Sequence, residues 1–202
     1  MDKLARFYPV NIRRYFEDGP SGMAELQELI SDFACPGNPD VERFLKESAA
    51  EFTKKSQSVT YLVFSADEPE LLGYFSIAIK PLTIGAEKVS KTVRRMLERV
   101  SKFDETTQTY TPAAYLIAQL GKNYTGGANE RITGGELLSL AWDVIRSLQY
   151  AAGGVVAFVE AEEQEKLLEF YRQNYFWQFD RRMAIDPSGE PHELIQLLRI
   201  LK

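Results

Sequence analysis

The sequence holds one cysteine, Cys35, and one histidine, His192, among 202 residues. A lone cysteine excludes an intramolecular disulfide. A structural zinc site of cysteine and histidine needs four ligands, so none can be assembled and no metal is expected. A Cys–His or Ser–His catalytic pair would have to use these single residues, and nothing around either points that way. No run approaches the roughly 18 consecutive apolar residues of a membrane-spanning helix, so no membrane association is expected. The opening MDKLARFYPVNIRR lacks the basic-then-apolar order of a signal peptide, which makes a cytoplasmic location the expectation. Positive charge is not in excess either. The net charge is −5, which argues against a surface that seeks nucleic acid everywhere and leaves room for a local basic face.

What is present suits a globular chain: 45% of residues are hydrophobic and 26% charged, enough to bury a core. There is no internal repeat or long linker, so residues 1–202 read as one domain. The first third reads as helical, with one helix over 21–33 capped by Ser21 and a second after CPGNP, capped by Asp40. Residues 59–65 and 71–79 form a hairpin around the turn ADEPE. An inserted amphipathic helix is expected over 86–102, in an insertion reaching about 103, and FDETTQTYTP reads as a loop. Residues 113–120 (AAYLIAQL) read as a short strand buried on both faces. A strong helix runs over 137–150 and stops at Gly153-Gly154. Another buried strand follows over 155–160, then a helix over 162–174. Two strand candidates close the chain, 176–184 and 193–201, split by DPSGEP; the second fits a helix equally well. Strands alternating with helices imply a mixed α/β sheet of six or seven strands.

The stretch QLGKNYTGGANERITGGELLSLA (119–141) carries five glycines. It lacks the spacing of a P-loop and of a dinucleotide fingerprint. Its end, Arg131-Ile132-Thr133-Gly134-Gly135-Glu136, opens a helix after a buried strand. The first turn of a helix leaves backbone N–H groups unpaired and carries partial positive charge. Gly134 and Gly135 let an anion approach that backbone closely, and Arg131 adds a charge. The alternative is that Thr133 only caps the helix and the glycines serve the turn.

This segment resembles the pyrophosphate loop of the GNAT acetyltransferases, [Q/R]-x-x-G-x-[G/A], with Arg131 and Gly134 on the pattern and Glu136 where Gly or Ala is usual. AEEQEKLLEFYRQNYF (161–176) is similar to the family helix ending F-Y-[E/K]-x-x-G-F, with Phe170, Tyr171 and Phe176 matched and Tyr175 where Gly is usual. FACPGNPDVERFLKESA (33–49) and YLVFSADEPELLGYFSIAI (61–79) resemble the corresponding segments of one branch of the family. The branch includes toxin-type enzymes that acetylate the amino group of aminoacyl-tRNA.

The resemblance implies a mostly antiparallel, six- to seven-stranded α/β sheet flanked by helices, with the fourth and fifth strands splayed in a V. It implies acetyl-CoA as co-substrate, no metal, and a primary amine as acceptor. The pantetheine arm would pair with backbone near Gln119, Leu120, Gly121 and Lys122. The diphosphate would sit on Arg131, Ile132, Thr133, Gly134, Gly135 and Glu136, with Phe170 beside the cofactor. Tyr171 would protonate the departing thiolate, as a phenol neutral at pH 7 can. Glu160 is the nearest candidate for a general base, and a water chain is the alternative.

The acceptor stays open. A small molecule or protein amine is the first expectation. A basic stretch of Lys88, Lys91, Arg94, Arg95, Arg99 and Lys102, with Lys91, Arg95 and Arg99 on one helix face, allows a tRNA. A third reading is a non-catalytic acyl-CoA sensor that keeps the fold. The chain would act as a monomer or homodimer.

Overall fold

A computed structural model describes residues 6–185 and 189–201. Residues 186–188, within the expected DPSGEP break, lie outside the described residues. The chain divides into two compact units, 1–78 with 117–144, and 79–116 with 145–202.

The first unit opens with a strand that the sequence pattern did not suggest, β1 (Phe7–Asn11), paired antiparallel with β2 (Val59–Ser65). Pro9 sits within β1 and donates no hydrogen bond, which suits a strand at the edge of a sheet. Helices α1 (Arg13–Glu17) and α2 (Gly19–Ser31) follow. The second starts two residues before Ser21, because Pro20 fixes the φ angle that a first helical turn needs. The next helix is capped by Asn38, not Asp40. The Asn38 side chain accepts the N–H groups of Asp40 and Val41, and Pro39 again leads the helix. This helix runs as α3 (Pro39–Arg43), a π-helical segment Phe44–Ser48, and α4 (Ala49–Lys54). Val41, Leu45 and Ala49 recur every four residues and are buried. They pack with Leu26, Ile30, Phe33, Leu62 and Tyr74 into the core of this unit.

β2 pairs antiparallel with β3 (Leu71–Pro81), the expected hairpin. In the second unit, the expected long helix over 86–102 is instead a short β4 (Ile84–Gly85), a 3-10 turn, and α5 (Lys91–Leu97) capped by Ser90. FDETTQTYTP is not a plain loop: β5 (Phe103–Asp104) and β6 (Thr109–Tyr110) form a small sheet with β4. Asp104 accepts the N–H groups of Thr106 and Thr107, which turns the chain between the two strands.

Strand β7 (Ala113–Lys122) runs two residues past the expected end. A 3-10 turn and α6 (Ala128–Arg131) lead into α7 (Gly134–Ala152). Then come β8 (Val156–Glu162), α8 (Glu165–Gln173), β9 (Trp177–Ile185) and β10 (Pro191–Ile200). The ambiguous tail is therefore a strand. The seven-stranded sheet has the order β1-β2-β3-β7-β8-β10-β9. The pair β7–β8 is parallel, registered at Tyr115↔Ala157 and Leu116↔Phe158. The pairs β1–β2, β2–β3, β8–β10 and β9–β10 are antiparallel. Leu82, Ile84, Leu97, Tyr110, Val156, Phe158 and Leu198 are among the core of the second unit.

Candidate functional site

In the first unit the expected loop resolves into a capped helix start. The Thr133 hydroxyl accepts the Glu136 N–H at 3.1 Å, and the Glu136 carboxylate accepts the Thr133 N–H at 2.9 Å and its hydroxyl at 2.8 Å. This is a reciprocal capping box of the form T-x-x-E. Glu136 also pairs with Arg6 at 3.1 Å. These contacts hold its carboxyl below the ordinary range; the Thr133 N–H is the largest cause, then the Thr133 hydroxyl, with Arg6 adding to them. The carboxylate that stands where Gly or Ala is usual is thus drawn back onto Thr133. The N–H groups of Gly134 and Gly135 hydrogen-bond nothing among the described residues, so the first turn keeps two donors for an anion. Ile132 is buried and anchors the loop.

Arg131 does not stand free. Its Nη1 donates to Glu68 at 2.8 Å and Glu70 at 2.5 Å, and its Nη2 to Ser65 at 3.3 Å.

The sequence YTGGANE (124–130) is ordered into the 3-10 turn and α6, with Ala128 fully buried. Gly126 and Gly127 take left-handed conformations that make the turn. The residue that fixes it was not singled out from the sequence. Asn123 is buried, and its Oδ1 accepts the N–H groups of Ala34 and Thr125 at 3.1 and 3.2 Å. Its Nδ2 donates to the Leu71 carbonyl at 2.9 Å, and its own N–H to that of Leu72 at 2.8 Å. The Asn Oδ1 bond two residues onward is an Asx turn, a signal that Asn-Tyr-Thr-Gly-Gly carries.

Gln119, Leu120, Gly121 and Lys122 end β7. Gly121 answers a packing demand: a Cβ there would lie 2.4 Å from the Val41 side chain, and one on Gly73 would lie 2.6 Å from the Gly121 carbonyl oxygen. Lys122 donates to the Asn129 carbonyl at 2.9 Å.

In the second unit, Tyr171 lies on α8 between Phe170 and Phe176, with ring centroids 5.1 and 5.7 Å away. Burial pushes its phenol up to about 12, so the ring stays protonated at neutral pH. Its hydroxyl has no hydrogen-bond partner among the described residues. The helix end explains the position after it. Phe176 N–H donates to the Tyr171 carbonyl and Tyr175 N–H to that of Arg172, both at 3.0 Å, in a Schellman ending. Tyr175, three-quarters exposed, holds φ at +66°, the left-handed region where glycine is the usual occupant.

Glu160 is fully engaged. Arg182 grips it bidentately at 2.9 and 2.7 Å, and Gln196 donates at 2.8 Å. Its carboxylate therefore accepts three hydrogen bonds, two of them from a guanidinium, and is occupied as a structural partner.

The basic stretch is shorter than expected. α5 ends at Leu97, so only Lys91 and Arg95 share a helical face, and Arg99 lies in the turn beyond it. All three are exposed. Lys88 is paired with Asp180 at 2.5 Å. Cys35 is buried with its thiol pushed up by burial, which does not suit a nucleophile. Among the described residues no acidic, histidine or cysteine cluster could hold a metal, and no helix is long and apolar enough to cross a membrane.

The element order and the mixed, mostly antiparallel seven-stranded sheet are those of the GNAT fold. Solved structures share it. A mutant of KacT superposes with a TM-score of 0.63 at 19% identity, covering 97% of this chain and 95% of that one. AtaTR bound with AcCoA gives 0.57 at 16%, covering 98% and 94%. AtaT complexed with acetyl-methionyl-tRNAfMet gives 0.56 at 17%, covering 82% and 85%. No family model matches the sequence. No curated protein matches it either.

Proposed function

We propose that the chain is an acyl-CoA-dependent N-acyltransferase that moves an acetyl group from acetyl-CoA to a primary amine, and that the amine is that of an aminoacyl-tRNA. The observation that carries this reading is the shared fold with AtaTR bound with AcCoA and with AtaT in complex with acetyl-methionyl-tRNAfMet. That second complex moves the tRNA acceptor ahead of the small-molecule or protein amine favoured on composition.

The open N–H groups of Gly134 and Gly135 at the positive end of a 19-residue helix suit a diphosphate. The backbone of Gln119–Lys122 supplies partners for the pantetheine arm, and the Leu120 N–H stabilises the oxyanion. The amine nitrogen attacks the thioester carbonyl carbon, an N–C bond forms and the C–S bond breaks. Tyr171 gives its proton to the departing sulfur. A thiolate formed in dry surroundings is itself made more basic, which offsets the weaker acidity of the buried phenol. The proton lost by the amine passes to water, since Glu160 is held by Arg182 and Gln196.

Calorimetry with acetyl-CoA, followed by transfer of labelled acetyl to charged tRNAs and to a panel of amines, tests the reading. Labelled acetyl-aminoacyl-tRNA is the expected product. Transfer only to small amines would overturn the acceptor, and binding without any transfer would leave an acyl-CoA sensor. Absence of binding would overturn the enzyme itself.

A further inference from the structure

Arg131 precedes the helix start by three residues, yet its guanidinium is held by carboxylates. Glu68 and Glu70 lie on the turn between β2 and β3, and both accept from Nη1 of Arg131. Two carboxylates against one guanidinium leave one excess negative charge in the cluster. Arg6 does not offset it, because its partner is Glu136. The cluster is only partly withdrawn from water: the Arg131 side chain is 36% exposed, Glu70 32% and Glu68 68%. Ion pairs of that exposure are individually weak, so they can be exchanged for another anion. A diphosphate brings a denser charge and several acceptor oxygens to the same donors.

We propose that Glu68 and Glu70 compete with the acyl-CoA diphosphate for Arg131, so that the β2–β3 turn sets how tightly the cofactor is held. The inference rests on the acyl-CoA reading above. Without cofactor, Arg131 is neutralised and fixed by Glu68, Glu70 and Ser65. On binding, the guanidinium turns from the two carboxylates to the diphosphate. Affinity then reflects the difference between these two partnerships. Glu68 and Glu70 are positioning residues in this scheme and touch no reacting atom.

The test is a mutant cycle read by calorimetry with acetyl-CoA on the full chain. The paired change Glu68→Gln and Glu70→Gln should tighten acetyl-CoA binding by about fivefold to tenfold, the worth of two exposed ion pairs. In an Arg131→Gln background the same pair of changes should give less than about twofold, because the contested donor is gone. Arg131→Met, which keeps the length of the side chain and carries no donor, repeats the cycle if the glutamine variant melts early. No tightening in the first arm would overturn the competition. An equal gain with and without Arg131 would overturn it too, since that would be plain relief of repulsion. If the unchanged chain binds no acetyl-CoA, the acyl-CoA reading falls and the competition with it. If it binds and only the cycle fails, the acyl-CoA reading stands.

Discussion

The hydroxyl of Thr133 and the carboxylate of Glu136 satisfy each other's backbone N–H, at 3.1 and 2.9 Å. A residue that departs from the loop pattern of the GNAT acetyltransferases is thereby built into the start of α7. Glu136→Ala should cost about 1 kcal/mol of stability by chemical denaturation, the usual worth of a cap.

The same contact sets a pH dependence. The Glu136 carboxyl is depressed in the folded chain, chiefly by the Thr133 N–H. Its contribution is therefore present above the unfolded value near pH 4.3 and is lost as pH falls through the lower folded value. The gap in melting temperature between the unchanged chain and Glu136→Gln should be steady from pH 6 to 8 and close below about pH 4.

Tyr171→Phe should lower turnover by about a hundredfold or more, the range of a general acid, while acetyl-CoA affinity stays within about threefold. With the phenol pushed up to about 12, Tyr171 should cause no loss of rate on the alkaline side up to pH 10, read from a kcat profile. Unchanged turnover would remove Tyr171 from the mechanism.

Tyr175→Gly should stabilise the chain by about 1 kcal/mol, because glycine holds a left-handed backbone without the steric cost that a side chain carries. Loss of the Arg199 guanidinium over the Tyr175 ring, 5.3 Å from its centroid, offsets part of that gain. A melting temperature that does not rise would show that the ring contact outweighs the strain.

Glu160→Gln should lose less than about tenfold in turnover, where removal of a general base costs about a hundredfold or more. It should instead weaken the fold by about 1 kcal/mol through the Arg182 and Gln196 contacts. A hundredfold loss of kcat with unchanged stability would return Glu160 to the chemistry.

Much of the fold was legible in the sequence, and the exceptions have physical causes. The repeat of Leu137, Leu138, Ala141, Val144, Ile145 and Leu148 marked α7; Leu137, Leu138, Ala141 and Ile145 are buried, and Val144 and Leu148 are half-buried. β1 escaped because five residues with a proline carry little strand signal until Tyr61, Leu62 and Val63 stand opposite them. β5 and β6 are two residues each, one aromatic and one polar, too short for any alternation to distinguish them from a loop. The tail 193–201 was ambiguous because Ile195, Leu197 and Leu198 are buried with Gln196 in one unbroken run, a pattern that periodicity cannot assign.

At the site, the residue types were readable and their partners were not. T-x-x-E announces a capping box, yet Arg131 looks like a free cation until Glu68 and Glu70 are brought to it from more than sixty positions away. Gly121 reads as a cofactor-side glycine in sequence and as room for Val41 in space.

Asn123 has a consequence of its own. One side chain joins the ends of three peptide segments, at Ala34, Leu71 and Thr125. None of these can detach without stripping a buried amide of its partners. In deuterium exchange, the N–H groups of Ala34, Asn123 and Thr125 should therefore open together, as one cooperative unit, although they are spread over ninety residues of chain.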